Sequence, residues 1–190
     1  MKTNDEILFV SSYPPREGET AKYTQDLMHA IREKFGSSYS LSVCALENQL
    51  EFRPYGKEVK YILHTENYVE YLDMARRINE DPNISTIVVH HEFSLFSGEY
   101  GENLLYFLYD LNKPIIVHFN NIFPHPDHRM LYIVNAIITV SAGILVKSEH
   151  AKNVLIREYE IEPEKIYVMQ YDVSVTEARD ISIRAQSLTC

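Results

Sequence analysis

Cysteine is scarce. The chain of 190 residues has two, Cys44 and Cys190. Cys44 sits in an apolar run and reads as a small buried hydrophobe, and Cys190 is the last residue, so neither a disulfide framework nor a zinc site is expected. Long apolar runs are missing too. No stretch approaches the ~18 apolar residues that mark a spanning helix. Residues 1–5 are polar and lead into only a short apolar run, so no signal peptide is expected either. These absences point to a reducing, cytoplasmic setting. Positive charge is in deficit: 18 Lys and Arg face 27 Asp and Glu, a formal net charge of −9. That average field repels nucleic acid and anionic membrane surfaces, so neither is an expected partner.

Several signatures of chemistry are absent as well. There is no G-x-G-x-x-G and no phosphate-cradling P-loop. There is no G-x-S-x-G, which argues against a nucleophile elbow at Ser94–Gly98. His90-His91-Glu92 invites a metalloprotease reading, but Leu95 stands where the second histidine of that helix motif belongs. His118, His125 and His128 surround Pro124 and Pro126, and a proline disfavours a helical ligand pair, so no metal site is expected. A phospho-receiver domain needs an Asp at a central strand end, and those ends carry Ser11, His91 and His118 instead.

What remains is an ordinary soluble composition, 45% hydrophobic and 24% charged. At this length one domain with a real core is expected. Short, continuous apolar runs alternate with helically spaced ones. The runs at 7–10, 41–46, 59–63, 84–89, 114–117, 143–146 and 165–169 read as strands. Helices are expected after Thr20 up to Gly36, over 67–79 with Val69, Leu72, Ala75 and Ile78 on one face, from Tyr100 to Leu111, over 131–138, and from a Ser148 cap to Tyr159. Unbroken apolar strands between helices predict an α/β class: a Rossmann-like open parallel sheet with helices on both faces. Residues 1–173 are assigned to this domain. Residues 174–190 turn polar and are left as a tail, helical or disordered.

In such a sheet, ligands sit beyond the C-terminal ends of the strands. Polar and glycine residues concentrate at four such places: Ser11–Thr20, His90–Gly101, His118–His128 and Lys147–His150. The first of these leads into a helix N-terminus, where backbone amides can receive a phosphate.

These loops resemble a known family. Tyr13-Pro14-Pro15-Arg16 with Thr24, Asp26 and Leu27 resembles the first loop and helix of family 4 glycosyltransferases. His91-Glu92-Phe93, Phe96 and Gly98-Glu99-Tyr100-Gly101 resemble the H-E-F-G-I-F-G-G-E-Y-G stretch of one subgroup. Pro114 through Pro126-Asp127 resembles the following strand and loop. Val146, Ser148-Glu149-His150-Ala151, Leu155, Tyr159 and Pro163-Glu164-Lys165-Ile166 resemble the segment before the interdomain linker. The likeness runs from about Glu6 to Val173.

The resemblance implies a GT-B fold of two Rossmann domains with the active site between them. The N-terminal domain holds the sugar or glycan acceptor, and the C-terminal domain holds the nucleotide-sugar donor. The reaction is retaining sugar transfer, usually without a bound metal. The donor domain has no counterpart in this chain, so no cofactor or donor is expected on it, the chain alone is expected to be inactive, and a separately encoded donor domain becomes a partner. The alternative is a degenerate, non-catalytic module that binds a saccharide or a protein.

There are departures from the family. Asn120 stands where members commonly have a histidine, and His118, two residues earlier, is expected to face away from it. Gly18-Glu19 stands where members place a glycine one position later. The linker's P-H-G-V reads Gln170-Tyr171-Asp172-Val173. Glu58 and Glu66 have the spacing of the family's glutamate pair by chance, since that pair belongs to the donor domain. The catalytic residues therefore stay unassigned. The expected cleft residues are Arg16, Gly18, Glu19, Thr20, His91, Glu92, Gly98, Asn120, Asn121 and Ser148. Phe93, Phe96, Phe119, Ile122 and Phe123 are expected to contribute to an exposed apolar face that would pair two copies into a homodimer.

Overall fold

The computed structural model describes residues 5–48 and 52–169. Seven strands form one sheet: β1 (Glu6–Ser11), β2 (Ser40–Glu47), β3 (Val59–His64), β4 (Ile84–His91), β5 (Ile115–Phe119), β6 (Gly143–Val146) and β7 (Ile166–Val168). All pairings are parallel, in the order β3-β2-β1-β4-β5-β6-β7. Among the described residues five α-helices connect them: α1 (Glu19–Phe35), α2 (Tyr68–Glu80), α3 (Leu104–Asp110), α4 (His128–Val140) and α5 (Glu149–Glu158). The expected Rossmann-like α/β fold is present. The proposed tail at 174–190 lies outside the described residues.

Each strand forms because its apolar run can be buried on both sides, and the partners decide which side goes where. Leu8 and Val10 of β1 enter one core with Cys44, Leu46, Val89 and Val117, while Phe9 enters a second core with Val43, Ala45 and Val88. The first core is built by α2, α3, α4 and α5, and the second is closed by α1 through Tyr23, Leu27 and Met28. Helices thus lie on both faces, four on one and one on the other.

Local signals place several of the helix boundaries. Gly36 at φ 58° ends α1 as expected, since a left-handed residue there favours glycine. Asn67 caps α2 by accepting from the Val69 amide, and Asp127 caps α4 by accepting from Met130. Ser148 caps α5 through the Ala151 amide at 3.1 Å.

Two expectations are corrected here. The buried stripe of α2 is Tyr71, Met74, Ala75 and Ile78, and Val69 and Leu72 are exposed. Both stripes have helical spacing, but only the observed one lets the Tyr71 hydroxyl reach the Thr65 carbonyl at 3.0 Å inside the core. The other correction concerns the exposed apolar face. Phe96 and Phe119 are buried core residues, Phe93 and Ile122 are half-buried, and of the five only Phe123 is exposed. The first core needed their area, because β4 and β5 run two residues further than their apolar runs.

Candidate functional site

β1 leads leftward to β2 and β3, while β4 lies on its other side and leads away to β5, β6 and β7. The order in which strands are added therefore reverses between β1 and β4, and the C-terminal ends of these parallel strands flank the crevice where open α/β sheets bind ligands. The residues there alternate with period two. His90 and Glu92 point to the α1 side, while His91 and Phe93 point to the opposite side.

His90 binds α1 to the sheet. Its Nδ1 lies 2.8 Å from Thr24 Oγ1 and 3.2 Å from Ser11 Oγ. Ser11 Oγ and Thr24 Oγ1 are 2.7 Å apart, and Thr24 donates to the Thr20 carbonyl at 2.8 Å. This net fixes the first turns of α1 over β1 and β4. Tyr23 lies beside His90 and His118, with ring centroids 5.4 and 5.1 Å away. Lys147 extends its ammonium over the Tyr23 ring, 5.0 Å from the centroid.

Above this floor runs a short polar chain. Asn120 Nδ2 donates to Thr20 Oγ1 at 2.9 Å, and Thr20 Oγ1 donates to Glu92 Oε2 at 2.8 Å. Ser94 Oγ donates to the other carboxylate oxygen, Glu92 Oε1, at 3.0 Å. The Asn120 amide donates to the His91 carbonyl at 2.9 Å, which extends the β4–β5 ladder by one residue and fixes where the side chain starts. Thr20 and Ser94 thus hold the Glu92 carboxylate in one orientation, with Asn120 behind Thr20. Each of its oxygens keeps acceptor capacity. Asn120 is buried, and its Oδ1 has no hydrogen-bond partner among the described residues.

The electrostatics follow from burial. His90 and His91 are pushed down to about 3, by burial in both cases and with a smaller push from the Lys147 charge on His90. His118 is held well below the ordinary histidine value by burial, then by His90 and Lys147. All three are neutral near pH 7. The Lys147 ammonium is lowered by partial desolvation, an effect opposed by Glu19 and Glu92. The crevice wall therefore offers a carboxylate pair, one ammonium and an amide.

The expected cleft residues divide sharply. Thr20, Glu92 and Asn120 meet. Glu19 is exposed beside them and close enough to act on the Lys147 charge. Arg16 turns to the end of β2, where it donates to the Leu46 carbonyl at 2.6 Å and lies 4.0 Å from Glu47. Gly18 is an exposed N-cap of α1 at φ 139° with no side-chain cap beside it. Gly98 serves the turn before α3, at φ 87°, where a Cβ would come within 2.7 Å of Glu102. Asn121 is exposed. Ser148 has its hydroxyl engaged as the α5 cap.

His91 does not line the crevice. It is fully buried on the opposite face, with its ring 4.8 Å from Phe93 and 4.9 Å from Phe119. His118 and Asn120 share the α1 side, as two positions along an extended chain must, so the expectation that they face apart was wrong. Lys147, His90 and Ser94 were not among the expected cleft residues. The parity of His90 with Glu92 is the signal that would have picked out the first. Among the described residues no group of three or more His, Cys, Asp or Glu is placed to hold a metal ion. His90 and His91 lie on opposite faces and cannot share one.

No family model matches the chain, and no curated protein matches it. Solved structures share the fold, among them the two that follow. One is an alpha-glucosyltransferase in complex with UDP and a 13-mer DNA containing a central A:G mismatch, at TM-score 0.54 and 9% identity over 87% of this chain and 40% of that one. The other is the UDP-GlcNAc 2-epimerase from Methanocaldococcus jannaschii, at TM-score 0.56 and 16% identity over 86% of this chain and 45% of that one. The shared fold is the Rossmann-like parallel α/β sheet. The chain spans less than half the length of either protein. At these identities the likeness concerns fold alone. No helix among the described residues is long and apolar enough to cross a membrane.

Proposed function

We propose that this chain is the acceptor-side domain of a glycosyltransferase and that the crevice between β1 and β4 binds the sugar or glycan acceptor. A nucleotide-sugar donor would be held by a second domain, fused or separately encoded. The observation that carries this reading is the Asn120–Thr20–Glu92–Ser94 chain, which presents a fixed carboxylate and an unpartnered buried amide oxygen at the switch point. Sugar hydroxyls donate to such acceptors, and the Lys147 ammonium supplies donors to the same space. The shared Rossmann-like fold supports the reading.

The roles follow from the geometry. Glu92 accepts one or two hydroxyl hydrogens of the acceptor. Asn120 accepts another through Oδ1. Thr20 and Ser94 are positioning residues that hold Glu92 and do not themselves meet the sugar. The net charge of −9 disfavours a polyanionic ligand such as nucleic acid.

Saturation-transfer NMR with a panel of mono- and oligosaccharides tests this. Glu92→Gln and Asn120→Ala are each expected to weaken binding about tenfold or more, the cost of leaving a buried polar partner unpaired. No sugar bound by the parent chain would reject the reading. Binding that Glu92→Gln leaves intact would move the site elsewhere. The alternative, a saccharide- or protein-binding module without transferase activity, is favoured by Asn120 in the histidine position. Sugar binding without transfer when every compatible donor domain is supplied would establish it.

A further inference from the structure

Exposed apolar side chains scattered singly are ordinary on a protein surface. One group on this molecule is not scattered. Of the twelve large hydrophobic side chains exposed among the described residues, five lie on α2 and α3: Tyr68, Val69, Leu72, Tyr106 and Tyr109. They make one surface. Tyr68 and Leu72 are four apart on α2, and Val69 and Leu72 three apart, so the three share its outer side. The Tyr68 and Tyr106 rings meet across the two helices with centroids 6.4 Å apart, and Tyr109 follows Tyr106 by one turn of α3. Leu72 also lines a groove of about 350 Å³ between the helices, with Asp73, Arg76 and Asp110. The buried stripe of α2 is spent on the core, so this second stripe is left without cover among the described residues.

Its composition is that of a protein interface. Such interfaces are enriched in tyrosine and arginine and depleted in lysine. The helices α2 and α3 together hold four tyrosines, two arginines and no lysine. Tyr68, Tyr106 and Tyr109 are each more than half exposed and Val69 and Leu72 nearly so, which presents on the order of 400 Å² of apolar area. A standard interface takes about 800 Å² from each partner, somewhat over half of it apolar. The area is therefore what a dimer needs. The charges choose the occupant. The exposed side of α2 carries Asp73, Arg76, Arg77 and Glu80, two of each sign, so it can face a copy of itself. A two-fold axis crossing α2 midway between residues 74 and 75 lays it antiparallel on the α2 of a second copy. Asp73 of each copy then stands opposite Arg76 of the other. Within one chain these two pair with each other at 2.8 Å, both well exposed, a contact that contributes little and can be exchanged across the axis. The same axis sets α3 against its counterpart and covers Tyr106 and Tyr109.

We propose that the outer face of α2 and α3, centred on Leu72 and Tyr106, pairs two copies of this chain about a two-fold axis. The face lies on the side of the sheet opposite α1, so it is separate from the acceptor crevice and independent of what binds there. It also differs from the strand-end face expected from Phe93, Phe96, Phe119, Ile122 and Phe123, most of which the core has taken up.

Sedimentation of the full chain reads the oligomeric state directly, with a reductant present so that Cys190 cannot link two copies. The parent chain is expected to be a dimer at tens of micromolar protein. A monomeric parent chain would overturn the proposal. Tyr106→Glu is expected to weaken dimerisation at least tenfold, since it puts a charge at the centre of the apolar contact. A dimer that this change leaves as strong as before forms through another face, and the proposal fails. Asp73→Arg and Arg76→Asp each set like charges across the axis, so each variant alone is expected to be monomeric. Mixed in equal amounts, each supplies the charge that the other lacks, and a dimer containing one of each is expected to form. A single charge variant that dimerises as the parent does, or a mixture that stays monomeric, would overturn the proposal. All three substitutions are at exposed positions and spare the buried stripe of α2, and an unchanged far-UV dichroism spectrum checks that the fold is kept.

Discussion

Three histidines, His90, His91 and His118, are completely buried at the ends of two adjacent strands. Burial lowers the folded-state pKa of each below the ordinary histidine value of about 6.5, to about 3 for His90 and His91. A lowered histidine pKa means that the unfolded chain binds the proton more readily. The stabilising preference for the neutral form is therefore complete above pH 6.5 and is lost as pH falls toward 3. Each proton taken up on unfolding steepens that loss by about 1.4 kcal/mol per pH unit. Urea midpoints measured between pH 7 and pH 4 should drop accordingly. A flat profile would mean the rings are already protonated or solvated in the folded state.

His91 separates this effect from function, because it sits among Phe93, Phe96 and Phe119 with neither ring nitrogen hydrogen-bonded among the described residues. Replacing such a group by an apolar one of similar size is near neutral or stabilising. His91→Leu is expected to keep stability at pH 7, to soften the acid profile and to leave sugar binding unchanged. A loss of binding in that variant would return His91 to the site.

At the scale of elements, helix ends and strand ends account for several residues that resemble a functional pattern. Ser148 caps α5, and removing a cap of this kind costs about 1 kcal/mol. Ser148→Ala should lower the urea midpoint by that amount and leave sugar affinity as it was. An affinity loss without a stability loss would contradict the capping role.

At the opposite end of the sheet, Lys60 holds Glu6 at 2.9 Å and Asp81 at 2.6 Å, with Ser42 also on Glu6. Burial raises the Asp81 pKa, but hydrogen bonds from Lys60, Asn83 and Tyr61 outweigh it and hold the group at about 2. This ion cluster joins β1, β2, β3 and the turn into β4. Lys60→Ala leaves the buried Glu6 without its cation and is expected to cost about 2 kcal/mol, read by chemical denaturation. A cost near zero would place the cluster among ordinary surface pairs.

For the molecule as a whole, the strand order predicts a gradient of stability. β1 and β4 lie at the centre, each paired on both sides, while β3 pairs only with β2 and exposes alternate residues. Amide hydrogen exchange should be slowest in β1, β4 and β5 and fastest in β3, because local opening starts where few apolar contacts must break. Equal protection in β3 would mean that something covers that edge.

The amino-acid sequence by itself determined the class of fold, because continuous apolar runs alternating with helically spaced ones can be buried in few other ways. It also determined several helix ends, through Gly36, Asn67, Asp127 and Ser148, whose effects act within one turn of chain. It located the site only to the level of loops. Which side chains meet was decided by tertiary structure. Thr20, Glu92 and Asn120 come from segments 72 and 100 residues apart and join only after the strands pair. The same pairing sent His91 into the core and Arg16 to β2, and it selected Tyr71 and Met74 over Val69 and Leu72 on α2. Period and spacing state which residues share a face. Which face is buried depends on the area that distant elements bring to it, and that information is not local.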